Sequence, residues 1–190
     1  MSGARNGRLF AVLAGLGVLV VAAVTAVVVA IAVRDAPGHD PRITAYAHGT
    51  AVTVDPYQYC DLRLVGEDRL EMSNCRQNPV VDLEVPPGYP LQLSLPSEIV
   101  DAPWQGIVLY APPGGQQVLA REIFRSDYEP GTRALTIESE PEPGLRMIGV
   151  EIQLPVPAID EQGNETTVPH ASWSIRTGSL DDEAAGRSDR

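Results

Sequence analysis

Val81-Asp82-Leu83-Glu84-Val85-Pro86-Pro87-Gly88-Tyr89-Pro90-Leu91-Gln92-Leu93-Ser94-Leu95 decides the fold class. Val81, Leu83 and Val85 alternate with Asp82 and Glu84. Leu91, Leu93 and Leu95 alternate with Gln92 and Ser94. Successive side chains of a strand point to opposite faces, so a period of two marks a strand with one face buried and one wet. Between the two runs, Pro86-Pro87-Gly88 supplies a fixed φ followed by a residue free to take a positive one, which is turn chemistry.

The same pattern extends in both directions. Val52 and Val54 flank Thr53, and Cys60, Leu62 and Leu64 alternate with Asp61 and Arg63. Further on come Leu135 and Ile137, then Ile148, Val150, Ile152 and Leu154, then Trp173 and Ile175. Pro112-Pro113-Gly114-Gly115, Glu129-Pro130-Gly131 and Glu142-Pro143-Gly144 punctuate them. No window after residue 34 keeps a helical period over three turns; Val118–Phe124 comes nearest and reads equally well as a strand. About eight to ten short strands predict an all-β domain over 43–177, an immunoglobulin-like antiparallel β-sandwich, with a small β-barrel as the alternative.

Upstream the composition changes completely. Leu9 to Val33 is a run of 25 residues without a charge. About 20 apolar residues of helix cross a bilayer's hydrocarbon core, so 9–33 is expected to be a transmembrane helix. Arg5 and Arg8 precede it with no acidic residue among the first eight. Cationic flanks stay cytoplasmic, which makes 1–8 cytoplasmic and everything after the span extracytoplasmic. Ala30-Ile31-Ala32 resembles a cleavage site, but signal peptides carry apolar regions of about 7–15 residues, so an uncleaved single-pass anchor in the cytoplasmic membrane is the expectation. Residues 34–42 form a polar linker, and 178–190 an acidic disordered tail.

Beyond residue 34 stand 11 arginines and all 25 acidic residues, a net charge of −14. Such a field repels nucleic acid, and no basic stripe offsets it. Every basic side chain is arginine.

Cys60 and Cys75 are the only cysteines. In an oxidising compartment, two cysteines across a short polar loop are expected to form a disulfide. Asp61–Asn74 contains the turn signal Gly66-Glu67-Asp68, so the bridge would clamp a hairpin near its open ends. A redox pair or a metal site is the alternative, but the spacing is not C-x-x-C and no histidine lies close in sequence.

No catalytic or cofactor signature stands out. His39, His48 and His170 fall in linker, turn and strand-start contexts without metal-type spacing. Glu138, Glu140 and Glu142 read as the wet end of a strand, although paired carboxylates can perform glycosidase chemistry when held about 5–10 Å apart. Asp160-Glu161-Gln162-Gly163-Asn164-Glu165 is the best calcium-loop candidate and is explained more simply as a hairpin turn. Large aromatics are scarce, at 5% of the chain. Tyr57, Tyr59, Tyr89 and Trp104 are therefore candidates for a partner-binding patch, against the reading of Trp104 as a core plug between sheets.

The anchor, Tyr57-Gln58-Tyr59-Cys60-Asp61-Leu62, Pro86–Pro96 and Ala102-Pro103-Trp104 together resemble a family of uncharacterised actinobacterial membrane-anchored envelope proteins. The resemblance covers most of the exported domain, supports the compartment, and brings no functional residue with it. The function expected is a non-enzymatic envelope interaction module binding a protein or cell-wall component. An inhibitor or scaffold for an envelope enzyme is the alternative, using the loops Pro86–Pro90, Ala111–Gly115 and Pro155–Asn164. A carboxylate hydrolase comes third.

Overall fold

The computed structural model describes residue 15 and residues 17–30, 40–66, 69–112, 117–159 and 162–178. The chain divides into two compact units, Met1–His39 and Asp40–Arg190. In the first, residues 17–30 form a helix, α1, whose side chains are all exposed. Among the described residues no helix is long and apolar enough to cross a membrane. The rest of the 9–33 segment, residues 1–8, the linker through 39 and the tail from 179 lie outside the described residues.

The second unit is all-β. Its strands are β1 (Ile43–Ala47), β2 (Thr50–Val54), β3 (Gln58–Val65), β4 (Arg69–Gln77), β5 (Val81–Asp82) and β6 (Leu91–Ser94), then β7 (Gln105–Ala111), β8 (Leu119–Phe124), β9 (Ala134–Ile137), β10 (Arg146–Ile159) and β11 (Glu165–Arg176). They form two separate sheets. One has the order β2-β1-β6-β9; the other runs β4-β3-β11-β10-β7-β8, with β5 also paired to β11. All pairings are antiparallel except β5 with β11. The arrangement is sandwich-like rather than a closed barrel. Val118–Phe124 resolves as the strand β8. A one-turn helix, α2 (Ser97–Val100), and a 3₁₀ turn at Arg125–Asp127 are too short to leave a helical period in the sequence.

The alternation explains the core. Ile43, Ala45 and Ala47 of β1, Leu91 and Leu93 of β6, and Leu135 and Ile137 of β9 are buried from one layer. Val108 and Tyr110 of β7, Ile152 and Leu154 of β10, and Ala171, Trp173 and Ile175 of β11 meet them from the other. One expectation is corrected here. Met147, not Ile148, turns inward, because the register of β10 against β7 shifts between Met147 and Gly149 and adds one residue to the inward count. A bulge of this kind breaks strict alternation without ending the strand.

Gly106 of β7 is cross-strand from both Ile123 and Ile152. A Cβ built there would sit 2.7 Å from Ile123 Cγ1 and 3.1 Å from Ile152 Cδ1. Gly106→Ala is therefore expected to destabilise the domain by about 1–3 kcal/mol, as overpacking does, read as a lower urea midpoint at unchanged slope.

Candidate functional site: a cleft between two overhanging hairpins

The strands of the two layers differ greatly in length. Those of the four-stranded sheet have 4 or 5 residues, whereas β10 and β11 have 14 and 12. At about 3.3 Å per residue, β10 is roughly 46 Å long and faces a layer roughly 15 Å deep along its strands. The β10–β11 hairpin and the β3–β4 hairpin therefore run on as arms past the sheet that covers them.

Both arms carry apolar side chains past the covering sheet. Tyr59 stands opposite Ala171 and packs on the core, so Cys60, Leu62 and Leu64 share the other face of β3, with Met72 and Leu70 cross-strand from Leu62 and Leu64. On the other arm, Val156 and Ala158 continue the inward face of Ile152 and Leu154 and stand opposite Val168 and Thr166. Exposure is high at both tips: Leu64 is 61% exposed and Ile159 66%. Between the arms lies an open cleft of about 1390 Å³, lined by both apolar and polar side chains, among them Val65, Leu70, Met72, Val156, Glu165 and Thr167. That exceeds the roughly 300–1,000 Å³ of a small-molecule pocket.

At the root, the arms are tied together. β3 meets β11 only at Gln58↔Ser172 and Tyr59↔Ala171. Just above, His170 Nδ1 lies 3.2 Å from the Cys60 carbonyl oxygen. Cys60 and Cys75 form the expected disulfide, bridging β3 and β4 where the register shifts and Asn74 takes φ 49°. Arg76 donates through Nε and Nη2 to both carboxylate oxygens of Asp40, and through Nη2 to Asp61 as well. Asn74 Nδ2 donates to the other Asp61 oxygen at 3.2 Å.

These bonds, from Arg76 first and then Asn74, hold the Asp61 carboxyl below its ordinary value of 3.8. A lowered folded-state value means the cluster's contribution to stability is complete above about pH 4 and is lost as pH falls through the lowered value. Asp61→Asn is expected to remove that acid-end decline from the thermal midpoint while leaving the midpoint at neutral pH little changed, since the group is exposed.

The aromatic candidates are not brought together. Tyr59 is half-buried at the arm root, with the Arg76 guanidinium 5.3 Å from its ring centroid and the rings of His170 and Trp173 at 6.0 and 6.4 Å. Burial, followed by Asp40 and Asp61, raises its phenol above the usual value. Tyr57, 40% exposed, adjoins this region. Tyr89 packs on His48 at 4.3 Å, beyond the Ala47 end of β1 and so at the opposite end of that strand from Tyr57. Trp104 is 3% exposed and packs on Tyr128, the core position favoured for it.

The other candidates are occupied structurally or lie elsewhere. Glu140 accepts the Gly144 amide at 2.8 Å, closing a turn. Asp160, Glu161 and His39 lie outside the described residues, as does 113–115 of the Ala111–Gly115 loop. Among the described residues no three His, Cys, Asp or Glu side chains converge as a metal site would require. The proposed loop Pro155–Asn164 is corrected in part, since Pro155–Ile159 is the outer end of β10. Sequence reasoning did not find the cleft, although Pro155, Pro157 and Pro169 signalled it: three prolines inside strands must sit where no ladder bond is donated.

Against known proteins, residues 36–178 match the family described as "Protein of unknown function (DUF2771)". The uncharacterised protein Rv0875c of Mycobacterium tuberculosis is 36% identical over 148 residues, covering 76% of this chain and 82% of the relative. The uncharacterised protein Mb0899c of Mycobacterium bovis matches to the same extent. No solved structure matches the chain. With the family pattern spanning the whole sandwich, both arms and the cysteine pair, the chain belongs to the DUF2771 family.

Proposed function

We propose that this protein is a membrane-anchored, extracytoplasmic interaction module of the cell envelope, non-enzymatic, with an immunoglobulin-like sandwich serving as frame for a binding cleft. The observation that carries this reading is the exposed apolar cluster of Leu62, Leu64, Leu70 and Met72 on one face of the β3–β4 arm, two of whose members line the cleft. A contiguous apolar surface of that kind on a domain of strongly acidic composition marks a place where something docks. The anchor rests on the uncharged run from Leu9 to Val33 behind Arg5 and Arg8, and the compartment on the formed disulfide.

Crosslinking in native membranes, followed by recovery of the tagged full-length protein, tests the reading. Leu64→Asp and Ile159→Asp alter exposed side chains and should leave the fold intact. An envelope protein or cell-wall fragment recovered with the wild type and reduced at least fivefold in both variants is the expected result. Equal recovery with wild type and variants would remove the cleft from the interaction.

A further inference from the structure

We infer that the cleft takes an extended polypeptide segment, which adds as a strand between β3 and β11; this rests on the interaction-module reading above and specifies its ligand. The edge of β11 that faces β3 is used in three successive ways. At Ile175 and Arg176 it pairs in parallel with β5, and Leu83 N continues that pairing onto the Arg176 carbonyl at 2.9 Å. At Ala171 and Ser172 it pairs antiparallel with β3. From Glu165 to His170 it pairs with no described strand on that side. Across the cleft, β3 from Asp61 to Val65 pairs only with β4.

The register shows which backbone groups point into the gap. In an antiparallel pair, alternate residues direct both N–H and C=O at the partner strand, and the residues between direct theirs away. Pro155, Pro157 and Pro169 cannot donate, so the pairs Pro155↔Pro169 and Pro157↔Thr167 are the non-hydrogen-bonded ones. Val156↔Val168 and Ala158↔Thr166 carry the ladder. Thr167 and Glu165 therefore turn their N–H and C=O groups toward β3, in line with the Pro169 carbonyl, which lies 3.5 Å from Gln58 Nε2. On β3, the Cys60 carbonyl faces His170 of β11, so Leu62 and Leu64 present their amides to the same gap.

The outer edge of β10 is treated differently. β7 stops pairing with it at Gln153, and there Pro155 and Pro157 remove the donors that would otherwise be left open. Pro155 and Pro157 blunt the edge facing solvent and Pro169 removes one donor at the foot of the cleft, while beyond it the two edges facing each other keep amides at Leu62, Leu64, Glu165 and Thr167. A lipid chain has no use for those donors and acceptors; a polypeptide backbone pairs with them. Val168 and Thr166 share the core-facing side with Asp61 and Arg63, while Leu62 and Leu64 share the other face with Glu165 and Thr167, so both faces of the added strand meet apolar and polar neighbours. The segment is thus about five residues long and fully extended.

The test pans a random heptapeptide display library on the immobilised full-length protein in detergent micelles, and synthesises the peptides selected. Expected are peptides that bind in extended form and slow amide exchange at Leu62, Leu64, Glu165 and Thr167 at least tenfold by NMR. N-methylation of either alternate set of peptide amides should weaken binding at least tenfold, because one set faces β3 and the other faces β11. Thr167→Pro removes a cleft-facing N–H without removing a β10 ladder bond, so it should keep the native spectrum and lose at least tenfold in affinity. The inference is overturned if no peptide is selected, if selected peptides protect other amides, or if folded Thr167→Pro binds as wild type does. It is equally overturned if protection depends on protein concentration without peptide, which would make the occupant a second copy, or appears only with phosphatidylglycerol vesicles, which would make it lipid. Partner loss in Leu64→Asp together with unchanged recovery in Thr167→Pro would keep the interaction module and discard strand addition.

Discussion

Trp173→Ala is expected to cost the domain about 3–5 kcal/mol, the largest loss from any single side chain here. Trp173 is the largest fully buried side chain, 1% exposed in the middle of β11, with Ile152 as its cross-strand neighbour. Its indole Nε1 donates to the Pro41 carbonyl at 2.8 Å, so one residue fills the core and ties down the segment that leads into β1. Single domains are stable by about 5–15 kcal/mol, and a loss of this size takes a large share of it. For a domain of this length the thermal midpoint should fall by roughly 10–15 °C. Trp173→Phe separates the two roles: most of the packing stays and the hydrogen bond goes, so it should cost about 1–2 kcal/mol. Faster amide exchange at residues 40–42 should accompany that smaller loss. An alanine variant within about 1 kcal/mol of wild type in urea unfolding would show that the core closes over the gap and that Trp173 is not its keystone.

The tie at Pro41 shows what sequence could and could not reveal. The period-two runs around Leu91 and Leu135 are readable because burial on one face imposes alternation locally, and each strand records its own inward side. Trp173 and Ile175 were legible as an inward pair for the same reason. The bulge at Ile148 was not legible, because a shift against β7 depends on a strand about 40 residues away. The cleft was harder still. Leu62 and Leu64 alternate as a core strand would, and nothing in β3 records that their face turns away from the opposite layer. The aromatic residues misled for the converse reason: scarcity in composition says nothing about position, and Tyr57 and Tyr89 fall at opposite ends of β1. Pro155 and Pro157 read from sequence as part of a loop, whereas their meaning lies in register, since each, like Pro169 of β11, stands where its missing N–H is not needed by the hairpin.

Cys60→Ala/Cys75→Ala is expected to lower stability by about 3 kcal/mol, and its effect should start in the β3–β4 arm. The bridge closes a loop with a sequence separation of 15, for which the chain-entropy model gives about 3 kcal/mol through constraint of the unfolded state. Geometry adds a local consequence. Beyond Tyr59 the arm has only its own hairpin partner, and a two-stranded hairpin alone is marginally stable in water. The disulfide and the Arg76–Asp61 pair close the root of this hairpin, and His170 at the Cys60 carbonyl holds it against β11. Of these the disulfide alone is covalent; the ion pair is exposed and contributes little. Cys75 is exposed whereas Cys60 is buried, so a reductant has access from one side. Reducing the wild type should therefore reproduce the double variant: a thermal midpoint lower by roughly 6–12 °C, and amide exchange that accelerates first at Leu62, Leu64, Leu70 and Met72 while β6 and β9 keep their protection. Peptide binding should weaken more than global stability predicts, because affinity scales with the fraction of molecules whose β3 edge is in place. Uniform acceleration across both sheets would instead make the bridge a global staple, with no separate part in shaping the cleft.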